Sequence, residues 1–356
     1  MSVWSRIGRS LHANESHPIG IMSGLIHEHF ESMHGGNVFK SVKVPDIPIV
    51  TANQAFDDLL VPADHVLRSS SDTFYVTKES VLRPHATSHQ KSILSDLRVA
   101  GKQGAVWTCD VFRRDEVDRI HFPVFHQTDG VRVFDASVSE KEIIADLENS
   151  IESLILSVFK EAGKKVDMRW DRTAFFPFTN PSMELEIRLL EGKHAPWIEC
   201  LGCGKIRREI DLNGWAFGMG IDRLAMLLFG IDDIRLLWSQ DERFLSQFSS
   251  NTITEFKPFS KYPPTFRDIA FWVMNGSQKD IEQRFSADTL RAVGPYGLEK
   301  SELIDKFVHP KSGQVSLCFR LTYRGIEKTL TSEECNRIHS LVEQYVVNSL
   351  GCEVRS

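Results

Sequence analysis

The spacing of apolar residues divides the chain into two regions of different rhythm. In residues 1 to about 255, strands and Gly- or Pro-bounded loops alternate with a few helices. Residues 18–33 place Ile21, Leu25, His29 and Met33 four apart, which predicts a helix with those side chains on one face. Residues 141–162 repeat Ile143, Ile144, Leu147, Ile151, Leu154, Ile155, Val158 and Phe159 at helical spacing, and Gly163 stops that helix. Strands are predicted over 106–113, 130–134, 184–190 and 197–201. A helix over 222–228 follows what reads as a Gly-rich turn.

The second region, 261–356, has its own order: strand 266–273, helix 279–292, strands 298–308 and 315–323, helix 332–350. Thr331-Ser-Glu-Glu334 is a capping box for the last helix, and Gly351 can end it. This β-α-β-β-α order is that of a ferredoxin-like unit lacking, or hiding, its last strand. Between the regions, three prolines within residues 254–264 predict an extended connection. The expectation is therefore an α+β chain, with a domain over 1–255, a linker over 256–260 and a domain over 261–356.

Composition changes this picture little. The 42% hydrophobic and 25% charged residues suit a globular protein, and no apolar run approaches the ~18 residues of a membrane helix. The net charge of −6 excludes binding of nucleic acid by overall attraction, though not by a local basic patch. Cys200 and Cys203 have CxxC spacing, but no second ligand pair accompanies them, nor Cys335 and His339. The cysteines read as buried thiols in a reducing compartment. The first fourteen residues carry Arg6 and Arg9 and no acid, as organelle transit peptides do, while Ile7 and Leu11 equally suit an ordinary helix.

Two segments carry candidate chemistry. Residues 110–129 run from a strand ending at Phe112-Arg113 through a polar loop with His121 into a strand with Phe125, Gln127 and Asp129. Arginine keeps its charge and grips phosphate with two bonds, histidine can hold a phosphate, and phenylalanine offers a flat face to a base. The plain alternative is a hairpin with solvated charges. Residues 214–226 place glycines, which admit a close ligand, before Arg223 at a helix start. Alone, this is commonly just a turn. Together, the two arginine segments are far more specific.

These segments resemble motifs 2 and 3 of the class II aminoacyl-tRNA synthetases, and Pro18 with its helix resembles the motif 1 region. Leu82-Arg-Pro-His-Ala-Thr-Ser-His-Gln90, Phe176-Pro-Phe-Thr-Asn-Pro-Ser182 and Trp197-Ile-Glu-Cys-Leu-Gly-Cys-Gly204 narrow the resemblance to the phenylalanine enzymes. The C-terminal unit is similar to their ferredoxin-fold anticodon-binding domain, and both units in one chain resemble the mitochondrial, monomeric form. The resemblance implies a class II antiparallel sheet flanked by helices, and a ligase acting on phenylalanine, ATP with Mg2+, and tRNA(Phe) in the mitochondrial matrix, with no membrane partner.

By residue, the resemblance implies Arg113 on the α-phosphate and His121 on the phosphates, with Arg113, His121 and Arg223 as the catalytic set. Phe125 and Arg223 would sandwich adenine, with Phe122 beside them. Gln90, Gln127 and Asp129 would fix the amino acid's ammonium and carboxylate. Thr87, Ser88, His89 and Ile120 would line the same site, and Glu199 would lie near substrate and Mg2+. Phe176 and Phe178 would meet the substrate ring, and Ala216 and Phe217 would close the pocket's end. Asp115, Asp129 and Asp222 stand where the family usually carries Glu, and Thr87 where it usually carries Ser. Each change keeps charge or hydroxyl. Lys257, Lys261, Arg267, Lys311, Arg320, Arg324 and Lys328, with the rings of Phe266, Phe271, Tyr296 and Tyr323, are candidates for RNA contact in the C-terminal unit. Competing readings are an inactive RNA-binding paralogue and a class II synthetase for another amino acid.

Overall fold

The computed structural model describes residues 3–190, 196–210, 212–249, 252–257, 262–274, 278–325 and 328–355. Residues 258–261, and with them Lys261, lie outside the described residues. The strands are β1 (Phe39–Ser41), β2 (Ile49–Thr51), β3 (Ser80–Leu82), β4 (Gly104–Phe112), β5 (Val124–Val133), β6 (Val166–Asp171), β7 (Thr179–Leu189), β8 (Ile198–Ile206), β9 (Gly214–Gly220), β10 (Thr265–Trp272), β11 (Leu298–Val308), β12 (Val315–Tyr323) and β13 (Glu353–Val354). The helices are α1 (Pro18–Ser32), α2 (Ala52–Ala55), α3 (Gln90–Ala100), α4 (Glu140–Glu161), α5 (Ile221–Phe229), α6 (Glu242–Leu245), α7 (Gln278–Val293) and α8 (Ser332–Asn348).

The larger unit is built on a seven-stranded sheet in the order β1-β4-β5-β9-β8-β7-β6. Every neighbouring pair is antiparallel except β1 with β4, which is parallel, so the sheet is mixed rather than purely antiparallel. Side chains alternate across a strand, so β4 sends Val106 and Phe112 into the core beneath α1 and α4, and Trp107, Cys109 and Val111 into a second core on the other face. That is why every residue of β4 is buried. Helix α4 starts on a capping box made by Ser139 and Glu142, and its buried side chains include the predicted Ile143, Leu147, Ile151, Leu154, Ile155, Val158 and Phe159.

Three expectations change. Helix α1 buries Ile19, Met22, Ile26 and Phe30, whereas Leu25 and His29 are only half-buried, because the helix is sealed further round its circumference than a simple fourfold stripe. The Gly-rich stretch before Arg223 is not a turn but the central strand β9, hydrogen-bonded to β5 and β8. The small hairpin-like sheet of β2 and β3 was not foreseen, since each strand is only 3 residues long.

The C-terminal unit is a four-stranded sheet, β11-β12-β10-β13, with α7 and α8 packed on one face around Phe271, Phe285, Phe319 and Tyr323. The hidden last strand exists: β13 is 2 residues long and pairs Val354 with Phe271 on β10. The capping box of Thr331 and Glu334 opens α8 as predicted. Phe271 and Tyr323 are core residues, while Phe266 and Tyr296 are exposed at 53% and 63%. The two units touch where Gln283 Nε2 of α7 donates to the Asp115 carbonyl oxygen, 3.1 Å away, in the loop after β4.

Candidate active site

One face of the central strands forms the floor of a cleft of about 550 Å³. The antiparallel register pairs Val111 with Phe125, Cys109 with Gln127, Asp129 with Gly218 and Gln127 with Gly220. Alternation then puts Arg113, Phe125, Gln127 and Asp129 on the same face as Ala216 and Gly218. Glu199 reaches this face through an irregularity. Leu185 pairs with Leu201, but Glu186 pairs with Glu199, so β8 carries one extra residue. The bulge turns Glu199 towards the cleft, where plain alternation from Leu201 would have turned it away.

Of the residues singled out in the sequence, Thr87, Arg113, Ile120, His121, Phe122, Phe125, Gln127, Asp129, Phe176, Phe178, Glu199, Ala216, Phe217 and Arg223 all line this cleft. Arg113 lies beneath the floor's aromatic surface, its guanidinium carbon 5.2 Å from the Phe125 ring centre and its Nε donating to the Pro84 carbonyl at 2.8 Å. Burial lowers its pKa from the ordinary guanidinium value, opposed by the charges of Asp115, Asp129 and Glu199. The loop carrying His121 is self-supporting: the Asp118 carboxylate accepts from His121 Nδ1 and from the backbone N–H groups of Ile120 and His121, each at 2.7 Å. Arg223, in the first turn of α5, donates to the Ile120 carbonyl at 3.4 Å and so meets that loop across the cleft mouth.

Asp129 is the most unusual group. Thr87 Oγ1 donates to its Oδ2 at 2.6 Å, but its Oδ1 is buried with no hydrogen-bond partner. Burial pushes its carboxyl up to about 7, against the pull of the Thr87 bond, the Arg113 charge and the neighbouring Gln127 amide. A buried acceptor left open beside an empty volume is a place made for a donor. Phe176 and Phe178 stand nearby with ring centres 6.4 Å apart and an interplanar angle of 31°. Both are half-buried, so they are cleft walls rather than core.

Ser88, His89 and Gln90 are not brought into the cleft. They follow Thr87 in a tight helical turn that points successive side chains apart. Ser88 Oγ turns back to the His85 carbonyl at 3.0 Å, and His89 Nε2 sits 3.1 Å from Arg83 Nη1. Ser88 and Gln90 face a neighbouring cavity of about 400 Å³. Arg83 itself anchors the segment through the Asp110 carboxylate and carbonyl and the Pro45 carbonyl. Phe217 lines the cleft together with Ala216, and its ring is also held by stacking on Phe30 at 5.2 Å.

Residues 5–248 match the model described as tRNA synthetases class II core domain (F), and residues 260–355 match the ferredoxin-fold anticodon binding domain. The chain belongs to the class II tRNA synthetases, in the phenylalanine branch. It is 42% identical to phenylalanine–tRNA ligase, chloroplastic/mitochondrial, of Arabidopsis thaliana, over 99% of this chain and 82% of the relative. It is 38% identical to the mitochondrial ligase of Mus musculus, over 99% and 84%, and 35% identical to that of Saccharomyces cerevisiae, over 98% and 89%.

This synthetase also has site residues that the sequence did not single out as such. A Cβ at Gly218 would sit 2.7 Å from Gln127 Nε2 and 3.0 Å from Asp129 Oδ1, and one at Gly202 would sit 2.4 Å from Phe176 Cζ. Both glycines keep the cleft open, and their every-other-residue placement in strands was the available signal. Asp222 is a tie rather than a ligand: its carboxylate accepts from the His126 backbone N–H at 2.6 Å and lies 3.2 Å from His126 Nδ1. It joins the strand bearing Phe125 and Gln127 to the helix bearing Arg223. His85 lines the cleft with Nε2 on the Ala55 carbonyl at 3.0 Å, and burial drives its pKa down to about 3, so it is a neutral wall.

Proposed function

We propose that this chain activates phenylalanine with ATP and transfers it to tRNA(Phe), acting as a monomer in the mitochondrial matrix. The observation that carries the reading is the convergence, in one cleft, of Arg113, Phe125 and Arg223 with the open carboxylate of Asp129 and the paired rings of Phe176 and Phe178. The relatives support both the amino acid and the compartment, since their names give phenylalanine and the mitochondrion. The boundaries we propose are 1–255 for catalysis, 256–260 for the linker and 261–356 for the anticodon.

Asp129 Oδ1 takes the substrate ammonium, with Gln127 beside it, and the substrate ring lies against Phe176 and Phe178, an arrangement worth ~0.5–1.5 kcal/mol per aromatic pair beyond area burial. Phe125 and Arg223 hold adenine, with Ile120 and Phe122 closing that side. Arg113 grips the α-phosphate with His121 towards the outer phosphates. The substrate carboxylate attacks the α-phosphorus and pyrophosphate leaves. The terminal ribose hydroxyl of tRNA then attacks the adenylate carbonyl and AMP leaves. No side chain acts as nucleophile, so rate comes from placement and from charge stabilisation in a partly dry site. Ser88, His89 and Gln90 serve by holding Thr87 in place, and Phe217 by fixing β9 against α1.

Mg2+ would arrive bound to ATP. Among the described residues no cluster of three or more His, Cys, Asp or Glu side chains is arranged to hold a metal, but magnesium bound through phosphates needs only one or two carboxylates. Glu199 faces the cleft, and its charge is felt at Arg113, so the residues present fit an ion delivered on the triphosphate. The ion neutralises phosphate charge. The test of the whole reading is ATP-dependent esterification of phenylalanine to tRNA(Phe). Formation of the ester supports it, and its absence with folded protein and intact tRNA contradicts it.

A further inference from the structure

The turn that follows α2 helps to build the cleft. The chain runs through Phe56, Asp57, Asp58 and Leu59 and reverses at Leu60, whose φ is +57°. That left-handed conformation is strained for a residue with a Cβ, and it persists only where the surroundings hold it. The Phe56 carbonyl closes the turn, accepting from the Leu59 N–H at 3.1 Å and the Val61 N–H at 3.0 Å. Leu59 and Val61 line the catalytic cleft. With Phe56 they belong to a small apolar cluster against which Phe178 packs. One wall of the ring pocket is thus seated on this turn.

The turn is also a partition. Leu59 borders both the cleft and the neighbouring cavity of about 400 Å³, which Asp57, Asp58 and Leu60 line as well. Open volume on two sides leaves less packing to fix a strained turn, so it depends on polar ties. Lys91 Nζ of α3 reaches the Asp58 carboxylate at 2.6 Å. Arg68 supplies the fuller tie. Its Nη2 donates to Asp57 Oδ1 at 2.6 Å and to the Val61 carbonyl at 2.5 Å, and its guanidinium carbon lies 5.1 Å from the Phe56 ring centre. One planar cation therefore grips both ends of the turn and the ring before it. With its side chain 20% exposed against 72% for Lys91, Arg68 is the better held of the two cations.

We propose that Arg68 is a positioning residue of the amino-acid pocket: by clamping residues 56–61 it sets Leu59 and Val61 against Phe178 and so fixes the width of the slot for the substrate ring. This rests on the reading of Phe176 and Phe178 as walls of that slot. Arg68 itself touches no reacting group. Phe176, the other wall, stands over Gly202 of β8, so the clamp acts on one side of the ring. Among the described residues Arg68 makes no bond to β5 or α5, which carry the nucleotide side.

The test uses the full chain with Arg68→Met, which keeps a long apolar stem over Phe56 but loses the fork, and Arg68→Lys, which keeps the charge. Pyrophosphate exchange is measured with phenylalanine and with ATP as the varied substrate, and active sites are counted by the burst of adenylate formation. A change of one methylene in an apolar pocket alters substrate use roughly 10–200-fold. We expect the low end of that range for Arg68→Met: phenylalanine KM up about tenfold, ATP KM within about twofold, a burst of full size, and a smaller preference for phenylalanine over tyrosine. Arg68→Lys should recover part of the KM. An unchanged phenylalanine KM overturns the clamp, and so does an ATP KM that rises in step with it. A reduced burst with normal KM in the surviving sites would show a purely structural role and overturn the positioning. Should Arg68→Met not fold, Asp57→Ala decides, since it removes one of the three contacts; a rise of about twofold to threefold supports the clamp, and no rise overturns it. Absence of exchange in the wild-type chain would instead overturn the function on which the proposal rests.

Discussion

Replacing Asp129 by asparagine should trade binding for stability, and both effects can be worked from the structure. The Asp129 carboxyl is raised by burial from 3.8 to about 7. The native state therefore holds its proton more tightly than the unfolded chain does. Between about pH 4 and pH 7 the unfolded chain has already ionised this group while the native state has not, so native stability falls as pH rises through that window. Above the window the full penalty is present, about 4 kcal/mol. Asp129→Asn keeps an acceptor for Thr87 but cannot ionise. The variant should match the wild type near pH 4 and be more stable by up to about 4 kcal/mol at pH 8. It should also lose the ammonium contact, which for a buried charged partner is worth about 3–5 kcal/mol, or roughly 10²–10⁴-fold in kcat/KM for phenylalanine. Urea unfolding at the two pH values and pyrophosphate exchange measure the two sides. A variant that is less stable at pH 8, or that exchanges within tenfold of the wild type, would refute the reasoning. In the wild type, phenylalanine KM should rise about tenfold per pH unit below about 7, since ammonium binding requires the ionised form.

Other outcomes follow from the same geometry. Arg113→Ala should lower exchange by roughly 10²–10³-fold, as for a removed phosphate or oxyanion contact, with circular dichroism unchanged; near-normal exchange would contradict its role. Gly202→Ala should raise phenylalanine KM at preserved folding, because its new methyl would meet Phe176 Cζ at 2.4 Å; an unchanged KM would show that the ring does not form the pocket. Removal of residues 261–356 should leave exchange measurable and abolish charging, and full charging by the shortened chain would refute the division of labour. Ala216, small and on the cleft side of β9, should leave room beyond the substrate ring, so tyrosine should exchange slowly; strict rejection would count against that placement.

Much of the site was legible through the family resemblance, which singles out Arg113, Phe125, Gln127 and Asp129. The strand predicted over 130–134 starts too late to hold the last three, and it is the two-residue period along β5, which begins at Val124, that sets them on one face with Arg113. Glu199 is different, because only an extra residue in β8 turns it inward, and a bulge leaves no local mark in sequence. The stretch 214–220 misled in the opposite sense. Its glycines suggest a turn, yet they are needed so that strand backbone can approach Gln127 and Asp129 without a Cβ in the way. Ser88 to Gln90 sit beside a true cleft residue, but the tight turn after Thr87 aims them elsewhere, and spacing alone cannot resolve a single turn of helix. In the C-terminal unit the predicted order was complete but for β13, whose 2 residues fall below any periodic signal.

The central claim is that one cleft joins an ATP site to a pocket for a flat apolar side chain. The most direct measurement is ATP–pyrophosphate exchange with each of the twenty amino acids in turn. The account predicts strong exchange with phenylalanine and weak exchange with tyrosine alone among the rest. Exchange driven by a different amino acid, or by none, would contradict it.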